Sequence, residues 1–312
     1  MIKRLLLLLL VLQAACAGLL AGGLYLWWRP AWRAGLGAPA MAALCLVCGL
    51  LAVLAVRLLI SANNFYLSWR AGSVTPPDHA LTALRAARLF WHEFGSSMLA
   101  SSWYMLRPVG LRLLPAARGL PVLLIHGYAC NSGYWLPMSK LLCRAGISHY
   151  GIDLEPPGAS IDDYAPQVQA AVQRLRAATG SAQVIILGHS MGGLVARAYL
   201  RRYGRAHIAR VITLGTPHHG TALASLGPGS NAAQMRRGSD WLGALAASEA
   251  NTQRTLFSSI YSVHDNIIAP QDSSALPGAR NLVFGAIGHV ALGRHPEILD
   301  CALREIEAVA HA

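Results

Sequence analysis

Leu5 to Trp28 is an almost unbroken apolar run behind Lys3-Arg4, and it closes at Trp27-Trp28-Arg29-Pro30. A second apolar run goes from about Leu36 to Ile60, interrupted by Arg57. About 20 apolar residues cross a bilayer core, so both runs are long enough. Neither has the polar face expected of a helix at a protein surface. The pattern predicts two transmembrane helices over about 5–28 and 36–60. A cleaved signal peptide followed by one anchor is the alternative, but a signal's apolar stretch is about half as long. Arg57 sits near the end of its run, where it can snorkel to the headgroups. The tryptophans near Arg29 and Arg33 fit an interfacial aromatic belt, and no Asp or Glu precedes Asp78.

Residues 61 to about 78, with Ser61, Asn63, Asn64, Gly72, Pro76 and Pro77, read as a linker. From His79 to about Leu106 the pattern turns helical. Trp91, Phe94 and Met98 fall on one side and Arg85, Arg88 and His92 on another. Such a helix packs on a domain by default, or lies along a membrane surface. After Gly119 short apolar strands and helices alternate. Strands are expected at Pro121–Ile125, His149–Leu154, Gln183–Leu187, Val211–Leu214, Leu256–Tyr261 and Asn281–Phe284. Helices are expected at Tyr134–Arg144, Asp162–Ala178, Met191–Tyr203 and Glu297–Val309. This alternation predicts an α/β domain over 120–312, with a mostly parallel central sheet covered by helices on both faces. Residues 221–253 break the rhythm and are rich in Gly, Ala and Ser. They form either a lid-like insertion or a plain surface excursion.

Composition supports contact with lipid: 54% hydrophobic, 13% charged, mean hydropathy +0.41. The net charge of +12 comes from scattered basic residues, with no nucleic-acid motif. No nucleic-acid partner is expected, and attraction to anionic headgroups is the simpler reading. Three of the six cysteines (Cys16, Cys45, Cys48) lie in the apolar runs and three (Cys130, Cys143, Cys301) are dispersed, which suggests neither a disulfide framework nor a metal site.

The strongest chemical signal is Gly188-His189-Ser190-Met191-Gly192-Gly193. It fits G-x-S-x-G between a predicted strand and a predicted helix, the context of a nucleophile elbow. There Gly188 and Gly192 keep side chains out of a sharp turn, and His189 occupies the variable position. Ser190 is the expected nucleophile, raised at a helix N-terminus that favours developing negative charge. A serine hydroxyl needs a base, and behind such an elbow the chain order is serine, acid, histidine. Asp265 and His289 follow two later strands and suit that order. Asp272 and Asp240 are weaker acids by position, and His295 is expected to cap the last helix or face solvent. His264 would point away from its acidic neighbour. An oxyanion hole needs two backbone N–H donors. Met191 supplies one, and Tyr128, in the loop His126-Gly127-Tyr128, the other. His126 is expected to shape that loop.

Taken together, Leu124-Ile125-His126-Gly127-Tyr128, the Ser190 elbow, Leu214-Gly215-Thr216-Pro217-His218-His219-Gly220-Thr221, Tyr261-Ser262-Val263-His264-Asp265-Asn266 and Gly288-His289 resemble bacterial triacylglycerol lipases and esterases of the α/β-hydrolase superfamily. The resemblance covers about Pro121 to the C-terminus. It implies an α/β-hydrolase fold and a serine hydrolase with an acyl-serine intermediate. It also implies that His218 and His219 border the acyl pocket, although a plain turn at Pro217 and Gly220 explains them equally well. Many secreted relatives carry a calcium-binding Asp shortly after the catalytic histidine. Val290 to Arg294 contain none, so no metal and no other cofactor is expected. The expected substrates are lipid-like acyl esters, with membrane lipids as partners. Acyl transfer or thioester cleavage by the same residues, and a non-catalytic binding role, are alternatives. The setting is a membrane like the bacterial inner membrane. Lys3 and Arg4 favour a cytoplasmic N-terminus and a cytoplasmic catalytic domain, while Arg29 and Arg33 in the connector argue the other way.

Overall fold

The computed structural model describes residues 1–28, 37–249 and 251–311. The chain divides into two compact units: Lys3–Asn63 and, together with Met1–Ile2, Asn64–Ala312. Helix α1 is Ile2–Trp28 and helix α2 is Ala38–Ala71. At 1.5 Å per residue they are about 40 and 50 Å long. Both are apolar and long enough to cross a membrane, a test that an N-terminal signal sequence also passes. Arg29 and Arg33 lie outside the described residues, as does most of the connector.

Within the first unit, Gln13 Oε1 accepts from Arg57 Nε at 3.0 Å and Nη2 at 2.6 Å. Arg57 is thus not at the end of its helix. Its helix continues well past it, and the guanidinium meets a polar side chain of α1. At Gly49 a Cβ would stand 2.3 Å from the Ala17 carbonyl oxygen. This is the close backbone approach that small residues allow between apolar helices.

The expected linker at 61–78 is mostly helix. Ser61, Asn63 and Asn64 lower helix propensity without breaking a helix, and α2 ends only before Gly72 and Pro76-Pro77. Helix α3, Ala83–Leu99, starts at Thr82, whose side chain caps Arg85 N. It runs into a π-helical turn, Ala100–Tyr104.

The second unit is built on a seven-stranded sheet. Its strands are β1 (Leu111–Arg112), β2 (Val122–Ile125), β3 (His149–Ile152), β4 (Val184–His189), β5 (Ile208–Leu214), β6 (Phe257–Ser262) and β7 (Arg280–Phe284). The order is β1-β3-β2-β4-β5-β6-β7. Every pair is parallel except β1 with β3. The two-residue antiparallel edge β1 leaves no readable alternation in the sequence. The remaining strands fall where the apolar runs put them, with ends shifted by up to three residues.

Successive strand residues feed two cores, as a pleat of period two requires. Leu123, Ile125, Val184, Ile186 and Val211 meet helices α5 (Ile161–Thr179) and α6 (Met191–Tyr203). Val122, Leu124, Ile185, Leu187 and Ile212 meet α4 (Leu136–Arg144) and α10 (Pro296–Glu307). Helix α5 illustrates the local logic. A Ser160–Asp163 capping box opens it, and Gly180 at φ +70° closes it. Its buried residues Ile161, Tyr164, Val168, Val172 and Leu175 recur at intervals of three and four. Each large apolar side chain buried this way is worth about 1.5–3 kcal/mol.

Residues 221–253 hold a 3-10 turn (Ala222–Leu226) and helices α7 (Ser230–Gln234), α8 (Asp240–Ala247) and α9 (Asn251–Arg254); Ala250 lies outside the described residues. This insertion is tied down at several points. Gln234 Oε1 accepts from Ile161 N at 2.7 Å, and Trp241 Nε1 donates to Asp162 at 2.8 Å. Buried Arg197 on α6 forks onto Glu249 at 2.6 and 2.8 Å and donates to the His218 carbonyl at 3.0 Å.

Candidate active site

The turn between β4 and α6 holds Ser190 at φ +54°, ψ −124°. Such a conformation costs a non-glycine residue about 1–3 kcal/mol and persists only where its surroundings dictate it. Here they do. Ser190 N donates to Leu214 O at 2.8 Å, and the Thr216 hydroxyl donates to Ser190 O at 2.9 Å. A Cβ at Gly188 would stand 2.8 Å from the Gly192 carbonyl carbon. One at Gly192 would stand 2.3 Å from the Ile125 carbonyl oxygen, so the neighbouring strand also demands glycine there. Ser190 lies at the N-terminus of α6. Among the described residues, the backbone N–H groups of Met191 and Tyr128 make no hydrogen bond. Gly127 packs so closely that a Cβ would lie 2.9 Å from Ser190 Cβ.

Asp265 follows β6 and is buried. Its Oδ1 accepts from Ile267 N and Ile268 N, both at 2.8 Å, and its Oδ2 faces His289 Nδ1 at 2.7 Å. Burial alone would lower the His289 pKa. The Asp265 charge and hydrogen bond, with Glu93 adding to them, reverse this and hold the imidazole above its ordinary value. The structure thus brings Asp265 and His289 into contact and sets His289 and Ser190 in the wall of one cavity.

Two residues of the elbow region hold others in place. His189 Nε2 donates to the His289 carbonyl at 3.1 Å, while its ring stacks on Tyr134 at 4.2 Å. Burial, reinforced by His289 and His126, pushes the His189 pKa well down, so this ring is neutral. His126 Nδ1 donates to Gly127 O at 2.8 Å and its Nε2 accepts from Leu154 N at 3.0 Å. It shapes the loop, as expected.

Two apolar cavities meet at Ser190. One, of about 300 Å³, is lined by Ala100, Met105, Cys130, His189, His289 and Val290 among others. The other, of about 330 Å³, is lined by Pro217, Leu223, Leu226, Ala232, Met235 and Ile268 among others. Tyr128, Ser190 and Ile267 belong to both. Tyr128 also donates its hydroxyl to Pro228 O at 2.8 Å, joining the loop after β2 to the insertion.

His218 and His219 line neither cavity, which corrects their assignment to an acyl pocket. His218 turns into the core toward the hydroxyls of Thr213 (3.3 Å) and Ser259 (3.5 Å), and burial keeps it neutral. His219 is exposed, with Nε2 on Ala275 O at 3.1 Å. Their neighbour Pro217 is the residue that reaches the cavity. Asp272 and Asp240 are exposed. His264 accepts from Ala286 N at 3.0 Å, and His295 stands at the N-cap of α10 without a side-chain cap. Among the described residues no His, Cys, Asp and Glu cluster could hold a metal ion.

Several supporting residues were not singled out from sequence. Ser68, in the last turns of α2, donates to Asp265 O at 2.7 Å, and Gln271 Nε2 reaches both Ser68 Oγ (2.9 Å) and Asp265 O (3.0 Å). Glu93, buried on α3, accepts from Val290 N and Ala291 N at 2.9 Å each. Its spacing from Leu89 and Ser96 places one acid in the middle of a helix's buried face, a signal that the sequence does carry.

Sheet order, elbow and chain order define an α/β-hydrolase fold. Residues 121–238 match the family model of the alpha/beta hydrolase fold. Within that fold the likeness is to lipases. Over 119 residues the chain is 35% identical to a triacylglycerol lipase of Pseudarthrobacter phenanthrenivorans and to one of Burkholderia plantarii. That stretch is 35% of this chain and 36% and 32% of those relatives, so the match spans about a third of each. Among solved structures, the mature lipase BlEst2 of Bacillus licheniformis superposes with a TM-score of 0.54 at 20% identity, over 62% of this chain and 93% of that one. Aspergillus fumigatus lipase B gives 0.53 at 18% identity, over 68% and 66%.

Proposed function

We propose that the protein is a carboxylic ester hydrolase, held at a membrane by α1 and α2, that cleaves lipid-like acyl esters. The observation that carries this is a serine at φ +54° on a strand-to-helix turn, sharing a cavity with a histidine bonded to a buried aspartate. His289 takes the proton of the Ser190 hydroxyl as the oxygen attacks the ester carbonyl carbon. The carbonyl electron pair moves onto oxygen, where the N–H groups of Tyr128 and Met191 receive it. The C–O bond to the alcohol then breaks, and the leaving oxygen takes the proton from His289. Water repeats the sequence on the acyl-serine and releases the acid. Asp265 keeps Nδ1 protonated and stabilises the imidazolium.

The lipid reading has its own support. Both cavities at Ser190 are apolar, and such a pair suits an acyl chain and an alcohol part. Beside the first, α3 and its π-turn turn Leu84, Trp91, Leu99 and Trp103 outward, with the Arg107 guanidinium 3.3 Å from the Trp103 ring centre. Exposed tryptophan and arginine suit a headgroup interface. Anchoring rests on two long apolar helices in succession, the second of them not at the N-terminus.

The test is hydrolysis of nitrophenyl esters of graded chain length by detergent-purified protein beside Ser190→Ala. Activity that vanishes in the variant and rises with chain length is expected. Activity on short chains alone would remove the lipid preference, and activity surviving in Ser190→Ala would remove the mechanism.

A further inference from the structure

Helix α3 precedes residues 121–238, which match the family model, and it carries a buried acid against the histidine loop. Glu93 Oε1 accepts from Val290 N and Oε2 from Ala291 N, both at 2.9 Å, immediately after His289. These N–H groups open the 3-10 turn Val290–Gly293 and would otherwise be buried without partners. Gly288 is shaped to the same carboxylate, since a Cβ there would stand 2.5 Å from Glu93 Cδ and Oε2. One helical turn on, Ser96 Oγ accepts from Arg294 Nη1 at 3.0 Å. His289 N itself donates to Asn266 Oδ1 at 2.9 Å. The loop is thus held on the acid side by Asn266 and on the other by α3.

We propose that Glu93 is a positioning residue for the base. Its carboxylate fixes the backbone that aims His289 at Ser190, and its negative charge adds to that of Asp265 on the imidazolium. The proposal rests on the Ser190–His289–Asp265 reading. The ionisable groups that face Glu93 are His289, Asp265 and the Tyr134 hydroxyl. Neutral His189 lies between Tyr134 and His289. Burial raises the Glu93 carboxyl to about 6, against the pull of the two N–H groups and His289, so it is ionised at pH 8.

The experiment compares wild type, Glu93→Gln, Glu93→Asp and His289→Ala in detergent, reading kcat/KM for a short soluble ester from pH 5 to 9. Glu93→Gln keeps shape and one acceptor but loses the charge and turns an amide N–H toward a backbone N–H. The expected result is a plateau lower by about 10²-fold, the scale of a displaced catalytic group. The acid limb should move to lower pH, because the His289 pKa falls when a nearby negative charge goes. Glu93→Asp should recover the limb position while keeping part of the plateau loss. A plateau loss without movement of the limb would assign Glu93 a purely structural role and overturn the proposal. So would wild-type kinetics in Glu93→Gln while His289→Ala is inactive. Should Glu93→Gln melt before assay, Ser96→Ala and Gly288→Ala loosen the same contact. Both must then lower kcat rather than raise KM, and unchanged kcat in both overturns the proposal. An active His289→Ala would instead overturn the triad reading itself.

Discussion

Ser190 and the two residues proposed to act with it, Asp265 and His289, are held by different parts of the chain. Ser190 is fixed by near neighbours and by the ends of β2 and β5: Gly188, Gly192, the Ile125 carbonyl, Leu214 O and Thr216. The loops carrying Asp265 and His289 are held by residues about two hundred positions earlier, Ser68 on the acid loop and Glu93 on the histidine loop. Both earlier residues precede residues 121–238, which match the family model. The elbow is thus held by the sheet and its immediate neighbours, while the Asp265 and His289 loops are also braced by a segment that precedes the first sheet strand. Residues 64–106 are therefore more than a tether, and damage there should reach the chemistry.

That contrast can be broken at several points. The largest effect belongs to the elbow: Ser190→Ala should lower kcat by about 10⁴–10⁶-fold with folding intact, as circular dichroism and melting would verify. Next comes the insertion. Glu249→Ala leaves the Arg197 guanidinium buried without its carboxylate, and breaking such a pair costs about 3–5 kcal/mol. Denaturant titration should show that loss. A loss below 1 kcal/mol would mean that residues 221–253 are loosely held, as a mobile lid would be. On the acid loop, Ser68→Ala removes one buried hydrogen bond to Asp265 O, worth about 1 kcal/mol. It should lower kcat several-fold, and an unchanged kcat would confine α2 to tethering. The subtlest effect is in pH. His289 must be neutral to accept a proton and its pKa is raised, so kcat/KM should fall on acidification with a midpoint above that of an ordinary imidazole. A midpoint below 6 would show that Asp265 does not act on it.

The same division decides what could be read from the residues alone. G-x-S-x-G, the strand before it and the helix after it are neighbours in sequence, so local spacing carries the geometry. Asp265 and His289 follow from chain order and strand ends. Glu93 and Ser68 act across the whole chain, and no short motif records a contact at that range. The polar residues at 61–64 suggested a linker, but helix propensity alone did not stop α2 there; packing on the acid loop gives Ser68 its use. His218 and His219 stand in a turn whose sequence is informative. Their side-chain directions are set by Thr213 and Ser259 on adjacent strands, which the motif does not contain. Arg57 meets Gln13, a partner on the other apolar helix that the spacing within its own run does not reveal.

The central claim is that Ser190 is activated by His289 under Asp265. A fluorophosphonate probe tests it most directly, with the labelled peptide identified by mass and the labelling rate followed in wild type, His289→Ala and Asp265→Asn. The account predicts label on Ser190 alone and a rate falling by about 10⁴-fold in Asp265→Asn, with at least as large a fall in His289→Ala. Label on another residue, or a rate indifferent to both substitutions, would contradict it.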